Sequence, residues 1–183
     1  MDLSNLQIAA LKRFAEQGFN GTLLSQIAAD VGIKPPSIYA HFKGKEDLFL
    51  SLIEPTIEEE LNYVREALAD CSGGEKILSA FLGNIERRFE KAPMMRFLLH
   101  MVYIPPLKLA GRIDKPVQQY MNKLDKIMLD AFKRLRPGSL TPEILADAYM
   151  GIIDSLQAEI LYGGKRRFRR RLKALWAVFR LAL

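Results

Sequence analysis

The fold of this 183-residue chain is decided by the stretch TLLSQIAADVGIKPPSIYAHFKGK, residues 22–45. Its first half predicts a short helix, because four apolar residues recur at spacings of three and four and therefore share one helical face. These residues are Leu24, Ile27, Ala28 and Val31. Thr22 stands where a hydroxyl can cap this helix. Gly32 can adopt the left-handed conformation that ends it.

A second short helix is predicted after the turn. It begins near Pro36 and ends at Gly44, with Ile38 and Phe42 pointing inward at spacing i, i+4. Because Pro35 and Pro36 have no backbone N–H, the start of this helix has less need of a capping side chain. Two short helices joined by a tight turn that contains glycine are the pattern of a DNA-binding helix-turn-helix.

The N-terminal end of the second helix is the part of a helix-turn-helix that usually meets base edges. Ser37 can hydrogen-bond to several bases, and Pro35 or Ala40 can contact a thymine methyl group. The predicted base-edge or near-base residues are Lys34, Pro35, Ser37, Ala40 and His41.

The residues around this stretch resemble a known family. The segments IAALKRFAEQGFNGT, IAADVGI and SIYAHFKGKEDLF are similar to the N-terminal domain of the TetR family of bacterial transcriptional regulators. The pattern is long and interrupted, which makes the resemblance specific. The chain departs from the family at Lys34, where Ser or Ala is common, and at Pro36, where Gly is common.

The resemblance implies a DNA-binding dimer, and by the habit of the family a repressor. Family members pair their last two helices into a four-helix bundle, which here implies a homodimer through helices 141–162 and 165–183. Such a dimer would bind a palindromic double-stranded operator whose half-sites lie about 34–36 Å, or a multiple of that, apart. The residues at positions that often contact DNA phosphates are Thr22, Tyr39, His41 and Lys45.

We expect an all-α fold, because no period-two strand pattern of any length appears. The expected domains are a helix-turn-helix domain at 1–47 and a helical regulatory and dimerisation domain at 48–183. A helix from Lys45 toward Ala69 is expected to kink or break at Pro55. Its role is open: it is either a packing bend or the element that carries motion to the DNA reader.

Several helix ends can be predicted from capping patterns. Ser4 and Gln7 form a capping box before a first helix that ends at Gly18, and a second box spans 72–75. The inward stripe of the first helix is predicted to be Ile8, Leu11, Phe14 and Ala15. A long amphipathic helix is expected after Asp114, ending at 136–138. Another helix starts at Thr141.

Helix 141–162 has two different apolar faces. The large residues Leu145, Tyr149, Ile152, Leu156 and Ile160 suit a core, whereas a stripe of small residues suits close approach of a partner helix. The small residues are Ala148, Gly151, Ser155 and Ala158. The segment 165–173, KRRFRRRLK, fits either a helix with one solvated basic face or an amphipathic helix on an anionic membrane. The first interpretation is favoured.

The net charge of +6 does not by itself support DNA binding, because its location is wrong for that purpose. Residues 165–183 contain eight Lys and Arg and no Asp or Glu, so the rest of the chain has a net charge of −2. Residues 1–47 contain five basic and five acidic residues. The DNA-binding hypothesis therefore rests on the motif.

Composition and motifs favour a cytoplasmic protein that is not an enzyme. One cysteine, Cys71, excludes an internal disulfide and suits a reducing compartment. No apolar run is long enough to span a membrane, and no export signal is visible. No metal site is expected from Cys71, His41 and His100, and no cofactor motif or nucleophile motif appears. A polar cluster of Asp125, Glu159 and His100 would be the alternative, enzymatic, interpretation.

The second domain can be interpreted as holding a pocket for a small hydrophobic ligand, because methionine and aromatic residues are frequent there. The predicted lining is Phe97, Met101, Tyr103, Tyr120, Met121, Leu124, Met128, Tyr149 and Ile153. A ligand would shift the population toward a conformation that no longer fits the operator. The alternatives are that these residues are ordinary core and that the DNA-binding protein responds to no small molecule.

Overall fold

The computed structural model describes residues 3–69, 74–135 and 140–183. These residues form helices and contain no strand, so the predicted all-α fold is confirmed. The α-helices are α1 Asn5–Gly21, α2 Leu24–Asp30, α3 Lys45–Leu50, α4 Ile53–Ala67, α5 Glu75–Lys91, α6 Pro93–Tyr103, α7 Ala110–Leu135, α8 Pro142–Ala158 and α9 Gly164–Phe179. Shorter helices of 3₁₀ type cover Pro35–Ala40, Leu107–Leu109 and Arg180–Ala182, and a π-helix covers Glu159–Gly163.

The chain divides into two compact units. Unit 1 contains residues 1–60 and 92–118, and unit 2 contains residues 61–91 and 119–183. The division does not follow the expected boundary after residue 47, since α3 and α6 pack against α1 within unit 1. The domain boundary after residue 47 stays a prediction.

The core of unit 1 is built on four phenylalanines from three helices. The ring of Phe49 lies 5.1 Å from that of Phe14, 5.3 Å from that of Phe19 and 4.9 Å from that of Phe97, measured between ring centroids. Aromatic pairs at such distances add to the free energy of burial. They fix α1, α3 and α6 relative to one another.

The core of unit 2 surrounds Tyr149, which is fully buried in α8. Its ring centroid lies 5.6 Å from that of Phe132 and 5.5 Å from that of Phe179. Its hydroxyl donates a hydrogen bond of 2.7 Å to the carbonyl oxygen of Leu78. A buried tyrosine needs such a partner, so this contact joins α5 to α8.

The predicted helix starts compare well with the structure where it describes them. The capping box at Ser4 and Gln7 is present, with Ser4 N–H donating to Gln7 Oε1 at 3.1 Å and Gln7 N–H donating to Ser4 Oγ at 3.3 Å. Thr141 caps α8, as predicted. The box at 72–75, the helix end at 136–138 and Cys71 fall wholly or partly outside the described residues.

Three predictions about helices are wrong in detail. Ile8 is 39% exposed rather than inward, because Ala9 and Ala10 occupy the buried face. The long amphipathic helix starts at Ala110, one turn earlier than expected, and contains Pro116. The helix expected from Lys45 to Ala69 with a kink or break at Pro55 is two helices, α3 and α4, and the break precedes Pro55.

The break between α3 and α4 was expected from Pro55, and the structure places it at residues 51–52. Pro55 is the third residue of α4, where a missing N–H costs nothing because first-turn donors have no partner inside the helix. At the break itself, Ser51 Oγ donates a hydrogen bond of 2.8 Å to the carbonyl oxygen of Leu48, near the end of α3.

Candidate nucleic-acid interface

The first helix of the motif, α2, is fixed by burial on one side and by an ion pair on the other. Ile27 and Ala28 have no exposed surface. Arg13 of α1 donates two hydrogen bonds of 2.6 Å to the carboxylate of Asp30 at the end of α2. These bonds lower the pKa of Asp30 and raise the pKa of Arg13. Bidentate geometry restricts the angle between α1 and α2.

The turn after α2 has the predicted form. Gly32 has φ 72°, a left-handed conformation that favours glycine. The N–H of Ile33 donates to the carbonyl oxygen of Ala28 at 3.0 Å. This closes α2 in the manner of a glycine C-terminal cap.

The second helix of the motif differs from the prediction. It is a 3₁₀ helix of six residues, Pro35–Ala40, rather than a helix that continues to Gly44. Lys34 precedes it without a side-chain cap, as expected for a start that contains Pro35. Ile38 is fully buried and anchors this helix, whereas Phe42 is only half-buried.

The predicted base-edge residues are all exposed, and they lie in or directly beside the short helix. Because Ile38 points inward, its neighbours in the short helix point outward, and Tyr39 is 62% exposed. We call this the reading surface, and its exposed residues are Lys34, Pro35, Ser37, Tyr39, Ala40 and His41. Two of the four predicted phosphate contacts, Tyr39 and His41, lie on it.

The other two predicted phosphate residues are used differently in this structure. Thr22 has no exposed surface, and its hydroxyl donates to the carbonyl oxygen of Gly18 at 2.8 Å. It does not cap α2, which begins after Leu23, and the prediction of a hydroxyl cap is wrong. The N–H of Leu23 is instead paired with Gln26 Oε1 at 3.1 Å.

Lys45 ties the start of α3 to the end of α1. Its Nζ donates to the carbonyl oxygens of Phe19, at 2.8 Å, and Thr22, at 3.0 Å, and lies 4.5 Å from the centroid of the Phe19 ring. Burial lowers the pKa of Lys45, and the charge of Lys108 lowers it further. The carbonyl oxygens at a helix end attract a cation, so this contact stabilises the helix-turn-helix framework.

A cleft of about 540 Å³ lies beside this framework inside unit 1. It is bordered by the end of α1, by Phe49 of α3, by α6 and by residues 104–107. Two of the nine predicted ligand-binding residues, Phe97 and Met101, line it. Residues 16–20 also line it, although no sequence pattern marked them as part of a cavity.

The remaining predicted ligand-binding residues are spread over both units. Tyr103 is half-buried in α6 of unit 1, and six residues belong to unit 2. Tyr149 serves as the centre of the unit 2 core through its ring and its hydroxyl. The others in unit 2 are Tyr120, Met121, Leu124, Met128 and Ile153. Their ligand contacts stay a prediction.

A second depression, of about 600 Å³, shares Phe19 and Asn20 with the cleft. We call it the basic depression, because four cations line it together with two acids. The cations are Lys43, Lys45, Lys108 and Arg112, and the acids are Glu46 and Asp47. The place of Lys43 beside Lys45 in the sequence predicts that both lysines border the same depression. Nothing in the sequence connects Lys108 or Arg112 with this segment.

The predicted dimer helices show both kinds of face. The large residues of α8 and of the π-helix that follows it are buried, as expected, whereas Ala148 and Gly151 are exposed. Ile144 of α8 is 52% exposed. Near the end of the chain, Val178 of α9 is 71% exposed and Leu181 of the following 3₁₀ helix is 83% exposed. Apolar side chains at helical spacing are therefore left uncovered in the single chain.

Comparison with known proteins identifies the N-terminal segment. A family model described as bacterial regulatory proteins of the tetR family matches residues 8–52. This segment belongs to the TetR family. The match confirms the resemblance recognised in the sequence, and it covers the residues from α1 to the end of α3 in one continuous stretch.

Relatives of the TetR-family segment include an uncharacterised HTH-type transcriptional regulator of Bacillus subtilis, YerO. It is 36% identical over 64 residues, which are 35% of this chain and 22% of that protein. The chain spans 22% to 65% of the length of the first curated relatives it matches.

Solved structures extend the similarity in fold to most of the chain. FadR from Bacillus subtilis in complex with stearoyl-CoA has a TM-score of 0.66 at 18% identity, over 96% of each chain. AibR in complex with isovaleryl coenzyme A and operator DNA has a TM-score of 0.62 at 15% identity, over 94% of this chain and 97% of that one. At such identities the comparison establishes the fold alone.

Two other kinds of site are absent from the part of the chain that the structure describes. Among residues 3–69, 74–135 and 140–183, no helix has the length and apolar content that a membrane crossing requires. Within the same ranges, no group of three His, Cys, Asp or Glu side chains is arranged to hold a metal ion.

Proposed function

We propose that the chain is a cytoplasmic, TetR-like transcriptional regulator, most simply a repressor, that binds palindromic operator DNA as a homodimer. The observation that carries this proposal is the reading surface. Four exposed residues of the short helix and the two that flank it, Lys34 and His41, surround Ile38, which anchors the helix in a segment that matches the TetR family. Such a surface presents hydroxyl, imidazole and ammonium groups to the major groove and to phosphates.

The framework behind the reading surface supports the same proposal. Arg13 holds α2 to α1 through Asp30, and Lys45 holds α3 to the end of α1. These contacts restrict the motion of the short helix, and a reader must be held rigidly because each base contact depends on its geometry. In this conformation Thr22 and Lys45 act through the framework rather than as free side chains.

Dimerisation is proposed through α8 and α9, within the helices 141–162 and 165–183. Each reading surface offers few contacts, so tight binding requires two of them on one operator. The exposed apolar residues Ile144 of α8, Val178 of α9 and Leu181 of the 3₁₀ helix that follows α9 supply a face that a second copy of the chain can cover.

A small hydrophobic ligand is proposed to release the DNA. The alternative is a regulator that responds to no small molecule. The thermal stability of the full chain, measured against a panel of hydrophobic compounds, separates these two cases. A compound that raises the melting temperature and also releases DNA supports the first, and a panel without any effect supports the second.

The DNA-binding part is tested by fluorescence anisotropy with single substitutions on the reading surface. Ser37→Ala and Lys34→Ala remove exposed groups and should leave the fold intact. Loss of a base contact is expected to weaken operator binding by about 1–3 kcal/mol and to relax the preference at one base pair. Loss of a phosphate contact is expected to weaken binding to all sequences equally. Lys76→Ala, an exposed lysine of α5, is the matched control.

The dimer is tested by analytical ultracentrifugation of Val178→Glu and Leu181→Glu. Truncation of 165–183 would be a poor test, because Phe168 and Phe179 are buried in unit 2 and their loss would unfold it. The two glutamate variants should sediment as folded monomers. Dimers that persist in both variants would refute the proposed interface, and Lys173→Glu serves as the control for added negative charge.

A further inference from the structure

The cleft in unit 1 has a predominantly apolar wall. Phe14 and Phe97 are 1% exposed and Met101 is 1% exposed, so the wall is rigidly packed from behind. Ile104 and Leu107 at the other side are 51% and 95% exposed. A volume of about 540 Å³ falls in the range of small-molecule sites, which are typically apolar with a few polar groups.

His100 supplies a polar group at this wall. Its Nδ1 is buried, and it has no hydrogen-bond partner among the residues that the structure describes. Burial lowers the pKa of His100, and the charge of Arg96 lowers it further, so the site favours the neutral form of the ring. A neutral imidazole can donate one hydrogen bond and accept another. A buried polar atom without a partner costs free energy, which a bound polar group would recover.

The basic depression continues the cleft, since Phe19 and Asn20 border both. Lys45 already donates to two carbonyl oxygens. Lys108 and Arg112 are exposed, and in the described part of the chain neither forms an ion pair. Lys43 lies beside them, and Asp47 is partly engaged because its Oδ2 accepts a hydrogen bond from the backbone N–H of Lys43 at 3.0 Å.

We propose that the cleft and the basic depression together bind one amphipathic anion, with its apolar chain against Phe97 and Met101 and its anionic head against Lys108 and Arg112. The head is a carboxylate or a phosphate, since both accept hydrogen bonds from ammonium and guanidinium groups. The apolar wall selects the chain, and Lys108 and Arg112 select the charge. Neither part alone would specify this class of molecule.

The position of this site suggests how binding reaches the DNA reader. Residues 16–20 line the cleft and immediately precede Thr22 and α2. Phe19 borders both cavities and its carbonyl oxygen accepts the hydrogen bond of Lys45. A ligand that displaces Phe19 would therefore loosen the contact between α1 and α3. This regulatory role rests on the proposed function, whereas occupancy of the site does not.

The test is calorimetric titration of the full chain with three ligands of one chain length, 1-decanol, decanoate and decyl phosphate, below their micellar concentrations. At least one of the two anions is expected to bind about tenfold more tightly than decanol. The order of decanoate and decyl phosphate distinguishes a carboxylate site from a phosphate site.

Two double variants separate the head from the chain. Lys108→Ala with Arg112→Ala should bring the affinity for decyl phosphate within about threefold of that for decanol. Arg170→Ala with Lys173→Ala removes the same charge from α9 and should leave the preference intact. Leu107→Ser, at a fully exposed position that cannot disturb the core, should lower the affinity for all three ligands by a similar factor.

Equal affinity for the three ligands, or an unchanged preference in the Lys108 and Arg112 variant, would overturn the inference. Absence of saturable binding would also overturn it. DNA anisotropy in parallel keeps the two proposals apart. Ligand binding without DNA release would support this site and contradict its role as an inducer site. DNA binding without ligand binding would support the proposed DNA-binding function and refute the ligand site.

Discussion

Two basic regions of the chain, the tail at residues 165–183 and the basic depression of unit 1, differ in whether their cations form ion pairs. In α9, Lys165 pairs with Glu90, Arg169 with Glu86, and both Arg167 and Arg171 with Glu159, so four of the eight tail cations are held by acids of unit 2. In unit 1, the exposed cations Lys108 and Arg112 form no ion pair within the described ranges, although Glu46 and Asp47 line the same depression.

This difference separates charge that stabilises a fold from charge that is available for a ligand. The high isoelectric point of about 9.5 comes mainly from the tail, where ion pairs anchor α9 to α5 and to the π-helix. The cations most useful for binding are fewer and are scattered in sequence. Net charge is therefore a poor guide to function in this chain, and the pairing of individual charges is a better one.

The largest effect is expected at Glu159, the buried acid of the tail network. Glu159 is 7% exposed, and its carboxylate lies 3.1 Å from Arg167 Nε and 2.9 Å from an Arg171 nitrogen. Glu159→Gln should lower the free energy of unfolding by about 1–3 kcal/mol, less than for a fully buried pair because both arginines are partly exposed. Chemical denaturation measures this, with the exposed Glu143→Gln of α8 as the control. Equal stability of both variants would show that the tail charges are not structural.

Lys45 should give the next largest effect. Lys45→Met removes two hydrogen bonds to carbonyl oxygens and should lower the free energy of unfolding by about 1–2 kcal/mol. Lys43→Met, two residues away and exposed, should change it little. Denaturation curves of both variants would show whether Lys45 stabilises the fold. Similar small losses in the free energy of unfolding of both variants would contradict a structural role for Lys45.

A smaller effect is expected from reversing the charge of Arg169. Arg169→Glu places a negative charge against Glu86 and should lower the melting temperature, and adding Glu86→Arg should restore most of it. Lys108→Glu in the basic depression should leave the melting temperature unchanged. A double variant that is no more stable than Arg169→Glu would mean that the pair has no specific role.

The smallest effect concerns pH and His100. Its folded-state pKa lies below the ordinary value of 6.5, so the unfolded chain binds protons more readily and stability falls as pH drops below that value. His100→Gln should show a shallower loss of stability between pH 7 and pH 5. Thermal unfolding over this range checks the difference, and parallel curves for the two proteins would contradict it.

Much of the motif could be predicted from the sequence, because its determinants are local. The spacing of Ile27 and Ala28, the left-handed Gly32 and the burial of Ile38 all follow from a few neighbouring residues. The same holds for the cap at Thr141. These features depend on helix periodicity and backbone preference, which short windows of sequence contain.

The differences in the motif come from side-chain contacts that apolar spacing does not contain. The hydroxyl of Thr22 bonds to the carbonyl oxygen of Gly18, four residues earlier, instead of capping α2. Lys45, whose phosphate contact stays a prediction, bonds to carbonyl oxygens of residues 19 and 22. The second helix is shorter than its apolar spacing predicts.

The candidate ligand site could not be predicted as a whole. Phe97 and Met101 were recognised as lining residues from their composition alone. Their place beside Phe14 in unit 1, and the approach of Arg112 to α3, depend on packing between segments far apart in the sequence. Periodicity predicts which face of α6 is buried but not which helix covers it.

The most direct test of the central claim asks whether DNA binds to the reading surface or to the basic tail. Fluorescence anisotropy would follow the full chain on DNA from upstream of its own gene, over a series of salt concentrations. Tyr39→Ala and His41→Ala change the reading surface, and Arg166→Ala with Arg170→Ala removes two tail cations. We predict tight, salt-dependent binding that is weakened about tenfold or more in the first two variants and is nearly unchanged in the third. Weak binding to any DNA that is lost only with the tail cations would contradict the account.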